Sequence, residues 1–225
     1  MLKLYRPVRS LGISQGFNES KACAKTNKHG GLFYPIKIIG TRTGLCPPGY
    51  ANFYKLIGMK NHNGIDQKSW HGEPVYHCAD FSGIMKTESD KEGGLGVDII
   101  SKEPVLDFQG SKRHVKIRYW HLKTPIGWDG REVKPGDLIG LADNTGASSS
   151  DHLHWAPKWC DKNGGNTIAR NNGFYGAFDP SPYYFNHLFV LDILGLPADR
   201  LSLAQKTSKL KSSVNSLMSR ILGRN

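Results

Sequence analysis

A chain of 225 residues with 38% hydrophobic side chains and a mean hydropathy of −0.44 reads as soluble and globular, long enough to bury a core without staples. No run approaches the roughly 18 apolar residues of a membrane span, and the charged start Met1–Arg9 has no apolar segment behind it, which speaks against a secretory leader. The net charge of +11 favours polyanionic partners, whether nucleic acid, anionic lipid or acidic wall polymer, and does not choose among them.

In chain order, residues 18–60 are rich in Gly, Lys, Asn and Pro, with one short strand expected at Tyr34–Ile39 and loops elsewhere. Residues 60–160 carry short apolar runs at period two. Gly72–Tyr76, Gly96–Ile100 and Val115–Tyr119 are the clearest, and turn chemistry at 128–130, 134–137 and 144–146 separates such runs. This predicts a mainly β, antiparallel domain. Residues 161–186 read as loops. From Leu201 to Leu222 the apolar residues Leu203, Leu210, Val214, Leu217 and Ile221 fall at helical spacing. Six basic and no acidic residues follow from Arg200 onward, so a basic amphipathic α-helix is expected there.

The four cysteines, Cys23, Cys46, Cys78 and Cys160, match no zinc ribbon or finger spacing. Cys23 and Cys46 can pair if the protein works outside a cytosol; four free, mostly buried thiols are the expectation.

Two patterns carry chemistry. His62-Asn-Gly-Ile-Asp66 places a histidine and a carboxylate four apart around a glycine. His152-Leu-His154 puts two imidazoles on one face of a strand, with Leu153 on the other. Two histidines and one carboxylate are the donor set of a catalytic zinc site that keeps one position open. A third segment, Tyr119-Trp-His121-Leu122, ends an alternating strand, and His121 is expected to share a face with Tyr119 and Ile117.

Together these segments resemble the lysostaphin/LytM-type zinc endopeptidases. The resemblance runs over about residues 60–155 and includes Gly72-Glu-Pro-Val75, Gly94–Ile99, Val133–Gly140, Asn144–Ser148 and His152-Leu-His-Trp155, with Ile13–Phe17 resembling the family's first strand. It implies a Zn2+ ion on His62, Asp66 and His154, and His121 and His152 as the catalytic histidines. It implies hydrolysis of peptide bonds in bacterial peptidoglycan, in stem peptide or cross-bridge. It also implies a grooved peptidase domain at 1–186, with the excursion 18–60, and a helical appendage at 187–225.

Without a visible leader, a phage origin is the expectation, with the protein carried on the virion or released at lysis and acting in the cell wall or periplasm. The basic helix could pack on the enzyme, dock on phage structural proteins, or touch membrane lipid or lipopolysaccharide. No motif supports nucleic-acid binding. The alternative function is a catalytically silent wall-binding or tail-assembly protein of the same fold. Departures from the family pattern include Asp143, Trp120 and Pro157, the last expected to end its strand early. Among the other candidates, Asp80, Asp98 and Asp137 read as turn or surface carboxylates, His77 as structural or lining the groove, and Asp151 as a ligand-orienting or solvated group.

Overall fold

The computed structural model describes residues 1–25, 46–168 and 171–188, and the backbone of 38–40. The strands are β1 (Leu4–Tyr5), β2 (Ile13–Gln15), β3 (Ala22–Lys25), β4 (Ile38–Gly40) and β5 (Tyr50–Asn52), followed by a single helical turn, α1 (Phe53–Leu56). Next come β6 (Ile65–Lys68), β7 (Pro74–Tyr76), β8 (Gly83–Asp90), β9 (Gly94–Ser101) and β10 (Val105–Leu106). The chain continues through β11 (Lys112–Pro125), β12 (Glu132–Val133), β13 (Leu138–Ala142), β14 (His152–Cys160) and, after a 3₁₀ turn at Ser181–Tyr183, β15 (Tyr184–Phe185). The mainly β, antiparallel reading holds. The helix expected over 201–222 lies outside the described residues.

The main sheet runs β12-β8-β9-β11-β14-β6-β2, and every pairing in it is antiparallel. Its spine is the long strand β11. The first part of β11 pairs with β9 and β14, and its far end turns to pair with β13, which in turn pairs with β7. Alternation sets the two faces. Val115, Ile117, Tyr119, Leu153, Trp155, Val97 and Ile99 are fully buried in one cluster with Ile139 and Val75 from the folded-over layer. Burying side chains of this size stabilises the fold by about 1.5–3 kcal/mol each. The opposite face of the same strands is left to form the floor of a groove.

Three expectations are corrected. Residues 18–60 hold more than the one expected strand, because among the described residues β4-β3-β5 form a separate antiparallel sheet that leads into α1. Asn52 caps that turn, its Oδ1 accepting from the backbone N–H groups of Tyr54 and Lys55 at 3.0 and 3.3 Å. Of the strand expected at 34–39, residues 38 and 39 are in β4 and 34–37 lie outside the described residues. Second, Cys23 is bonded to Cys46, with Cα atoms 5.6 Å apart, while Cys78 and Cys160 are free and buried. The small sheet folds residue 46 back onto β3 just before β5 pairs with it, which brings the two sulfurs within bonding range. Third, Pro157 does not end β14. Its carbonyl accepts from Phe178 N–H at 3.2 Å, so its missing donor points away from β11 and no ladder bond is lost.

Candidate metal and catalytic site

β6 and β14 lie side by side with Asp66 opposite His154. Period-two alternation sends Ile65, Gln67, Leu153 and Trp155 into the core and Asp66, His152 and His154 onto the groove face, the arrangement of His152, Leu153 and His154 being the one the sequence predicts. His62 arrives from the loop before β6. That loop is pinned by backbone bonds from His62 N–H to Glu19 and from Asn18 N–H to His62, at 3.0 and 2.8 Å. Gly64 permits the close approach: a Cβ there would sit 2.4 Å from the Trp155 carbonyl oxygen and 2.8 Å from the His154 ring. That is why the His-x-Gly-x-Asp spacing needs glycine.

Three donor atoms converge. His62 Nε2 is 2.9 Å from His154 Nδ1 and 3.0 Å from Asp66 Oδ1, and His154 Nδ1 is 2.9 Å from the same oxygen. His62 Nδ1 lies 2.9 Å from the Gly16 carbonyl, so Nδ1 carries a proton and Nε2 faces the cluster. Such a set of two imidazoles and one carboxylate can hold a metal ion, and it fits zinc with a fourth position open. Burial pushes His154 down to about 4, so it is neutral and able to donate. Burial also works against charge on His62 and Asp66, but each outweighs it for the other. Asp66 is held well below the usual carboxylate range and His62 is raised. A metal ion would have to displace the His62 proton.

His121 and His152 flank this cluster. Their rings are 4.6 Å apart, His121 is 6.1 Å from the His154 ring, and His152 Nε2 is 3.7 Å from Asp66 Oδ1. Each is held through Nδ1 by a backbone carbonyl, Thr145 at 2.7 Å for His121 and Ser150 at 2.8 Å for His152. A carbonyl only accepts, so both rings carry a proton on Nδ1 and present Nε2 on their other side. Burial, helped by the neighbouring His152 and His154, pushes His121 down to about 3.

The sequence reading misplaced His121 on the strand. Tyr119 is in the core, its hydroxyl donating to the Cys78 thiol, and His121 does not share that face. The register of β11 shifts between Tyr119 and Leu122, and His121 takes a φ of 63°. This bulge sets both Trp120 and His121 on the groove side. A left-handed residue other than glycine costs on the order of 1–3 kcal/mol, the kind of strain that collects at functional sites.

The groove holds about 980 Å³. One wall comes from the 18–60 excursion, through Ala22, Phe53, Tyr54, Leu56, Ile57 and Met59. The Tyr54 ring lies 5.5 Å from that of His62, and the Tyr175 hydroxyl ties the wall down at the Ile57 carbonyl. Neither this wall nor the floor residues Lys116, Arg118, Trp120 and Lys158 were predicted. In the sequence, the even-numbered positions of β11 read as a solvent face.

The remaining candidates separate clearly. Asp98 is buried rather than at the surface, and takes two 2.7 Å bonds from Arg118. His77 is enclosed in the core between Tyr119 Oη and the Phe81 carbonyl, and does not line the groove. Asp80 receives the Lys3 N–H and Asp137 closes its own turn on the Lys134 N–H, so both are structural. Asp151 gathers with His71 and Asp143 at the surface, apart from the His62, Asp66 and His154 set.

No family model matches the chain. Among curated proteins it is 30% identical over 97 residues to an uncharacterised metalloprotease of Haemophilus influenzae, covering 43% of this chain and 18% of that protein. It is 30% identical over 109 residues to the DD-carboxypeptidase/endopeptidase Mpg of Neisseria meningitidis serogroup B, covering 48% and 23%. The chain thus spans less than a quarter of the length of these relatives. Among solved structures, the catalytic domain of the peptidase lysostaphin from Staphylococcus simulans matches at 25% identity, covering 55% of this chain and 79% of that one, with a TM-score of 0.41. The resemblance to lysostaphin/LytM-type metallopeptidases read from the motifs is borne out.

Proposed function

We propose that the chain is a zinc-dependent endopeptidase that hydrolyses peptide bonds of bacterial peptidoglycan. The observation that carries this is the convergence of five side chains in one open groove. His62, Asp66 and His154 present a mutually touching donor triangle, and His121 and His152 aim their free Nε2 atoms at the space beside it.

His62, Asp66 and His154 would hold the ion. When bound, zinc supplies Lewis acidity toward a carbonyl and makes water acidic enough to attack at neutral pH. The chain's own residues do the rest. His152 and His121, fixed by Ser150 and Thr145, accept the proton of the attacking water at Nε2. Once protonated, the same nitrogen donates to the oxygen that gains charge at the scissile carbon. The Tyr54–Met59 wall and the β-sheet floor hold an extended peptide between them. The named relative in Neisseria acts as a DD-carboxypeptidase and endopeptidase, which supports the substrate class.

The test is mass spectrometry of fragments released from purified sacculi, with glycine-bridged and directly cross-linked walls kept separate. New peptide termini, absent with His154→Ala, are expected. A folded, zinc-loaded protein that releases nothing from either wall would move the assignment to wall binding without catalysis. Carriage on a phage particle through 201–222 is the finer part of the proposal. Its support is the amphipathic spacing of that segment alone, and probing purified particles with an antibody to the chain tests it.

A further inference from the structure

The two flanking histidines come from different strands, His121 on β11 and His152 at the start of β14, and one residue lies between them. Asp143, directly after β13, donates its N–H to the His121 carbonyl at 2.9 Å and accepts the His152 N–H on its own carbonyl at 3.2 Å. It also opens the loop 144–151, whose Thr145 and Ser150 carbonyls hold the Nδ1 atoms of His121 and His152. The loop's other end returns to the same point, with an Asp151 carboxylate oxygen within 4.8 Å of the Asp143 carboxylate and the His71 ring. Both backbones and both ring anchors are therefore referred to the position of Asp143.

The Asp143 side chain is held from outside this set. Only 14% of it is exposed, and its Oδ1 accepts from His71 Nδ1 at 2.9 Å. His71 Nε2 lies 3.1 Å from Lys123 Nζ, and an ammonium only donates, so the bonds run from Lys123 to His71 to Asp143. Lys123 is on β11 two residues after His121, so the chain of bonds closes on the strand that carries the first imidazole. His71 is itself placed. It sits in the turn Trp70–Glu73, which is laddered to the end of β13: Gly72 N–H donates to the Ala142 carbonyl and Ala142 N–H to the Glu73 carbonyl, both at 2.8 Å. Glu73 is fully buried, and its carboxylate takes the Ser10 N–H and hydroxyl at 2.9 and 2.8 Å and the Trp70 N–H at 3.3 Å. The turn is thus anchored in the body of the protein.

This clasp does little for the fold. The His71 side chain is 56% exposed, and an ion pair that open to water adds little to stability. Nor does it touch substrate, since Lys123, His71 and Asp143 all lie outside the lining of the groove. A bond that stabilises little still orients, and catalysis is far more sensitive to orientation than folding is: a misplacement of roughly 1 Å costs on the order of 100-fold in rate.

We propose that His71 and Asp143 are positioning residues, and that the clasp between them sets the separation and ring orientation of His121 and His152. Its effect on rate rests on the peptidase reading; its effect on the two rings does not.

The test uses the full zinc-loaded chain with His71→Ala, Asp143→Ala and Asp143→Asn, the last keeping an oxygen for His71 to bond. Kinetics are read on the soluble wall peptide that the sacculus digest identifies as cut. Both alanine variants should lose about 10–100-fold in kcat, with KM, bound zinc and melting temperature close to those of the unaltered chain, and Asp143→Asn should restore the rate. In histidine-labelled protein, the ring 15N shifts of His121 and His152 should move in both alanine variants and return in Asp143→Asn. Unchanged kcat or unchanged ring shifts in the alanine variants overturn the clasp, as does a loss that Asp143→Asn shares in full. If Asp143→Ala fails to fold, His71→Ala, on an exposed turn, decides. If the unaltered chain cuts no wall, the peptidase reading falls and the ring shifts alone decide the clasp.

Discussion

Gly64→Ala places a methyl group where there is no room for one. The new Cβ would meet the Trp155 carbonyl oxygen at 2.4 Å and the His154 ring at 2.8 and 2.9 Å. A carbon–oxygen contact needs nearly 1 Å more than that. Trp155 cannot give way freely, because it pairs with Ile65 in the β6–β14 ladder and its ring is fully buried. The movement must fall on the ladder or on the His154 ring. The first costs about 1–3 kcal/mol, as overpacking does, which lowers the melting temperature of a chain this size by roughly 2–10 °C. The second moves Nδ1 by several tenths of an ångström, beyond the roughly 0.2 Å that metal–ligand distances tolerate, and should weaken zinc by about 10–100-fold. Gly16→Ala is the control. Its methyl meets only the Glu19 side chain, at 3.5 Å, although the Gly16 carbonyl also holds His62. Competition with a chromophoric chelator gives the zinc affinity, and scanning fluorimetry of the metal-free protein gives the stability. If Gly64→Ala matches the control in both, then the close packing of β6 against His154 does not shape the site.

His154→Ala removes one of three donors, and is expected to abolish stoichiometric zinc in the purified protein by elemental analysis while leaving the far-ultraviolet spectrum of the sheet intact. Asp66 raises the pKa of buried His62, so protons compete for this ligand and zinc affinity should fall as pH drops from about 8 to about 5.5; chelator competition at the two values checks it. His77 acts on the fold instead. Burial depresses it to about 4, so the unfolded chain binds the proton first, and stability present above about pH 6.5 is lost as pH falls toward 4, by on the order of 3 kcal/mol. Urea unfolding of the metal-free protein should show that loss, with a shallower slope in His77→Gln. Replacing both Cys23 and Cys46 by serine opens a loop of sequence separation 23, worth about 3 kcal/mol by loop entropy. Because the small sheet carries the groove wall, peptide binding should weaken along with the melting temperature.

Part of the site was legible because it depends on period two. His152 and His154 reach the groove by alternation on β14, a local property of the sequence, whereas Asp66 was legible only through the resemblance of its motif with His62. The glycine of the His62 motif was legible as a spacing, though not as a contact with Trp155. The far wall was not legible. Its small core of Ala24, Phe53, Tyr54 and Met59 comes from separate turns and short strands, and the disulfide that ties it depends on a pairing between residues 23 and 52 that no local pattern announces. Asp98 was misread for a related reason. A charge in an alternating strand looks solvated until the partner on the next strand is known, and here the partner is Arg118, directly opposite it.

His121 marks the limit of reading by periodicity. Continued strictly, β11 would send His121 into the core beside Tyr119 and leave the groove with one flanking histidine. The left-handed turn at His121 breaks the period once and then restores it, since Leu122 returns to full burial. The break is held from outside the strand. The Thr145 carbonyl accepts from His121 Nδ1, the Thr145 hydroxyl donates to the Leu122 carbonyl, and Gly93 and Gly96 lie against Trp120 too closely to admit a Cβ. Local preference is thus overruled by contacts from two distant loops, at the one position of the strand where the proposed chemistry needs a second imidazole. Strain that the surroundings enforce this closely indicates a placed residue, and it is the strongest structural reason to regard His121 as part of the site rather than as a neighbour of it.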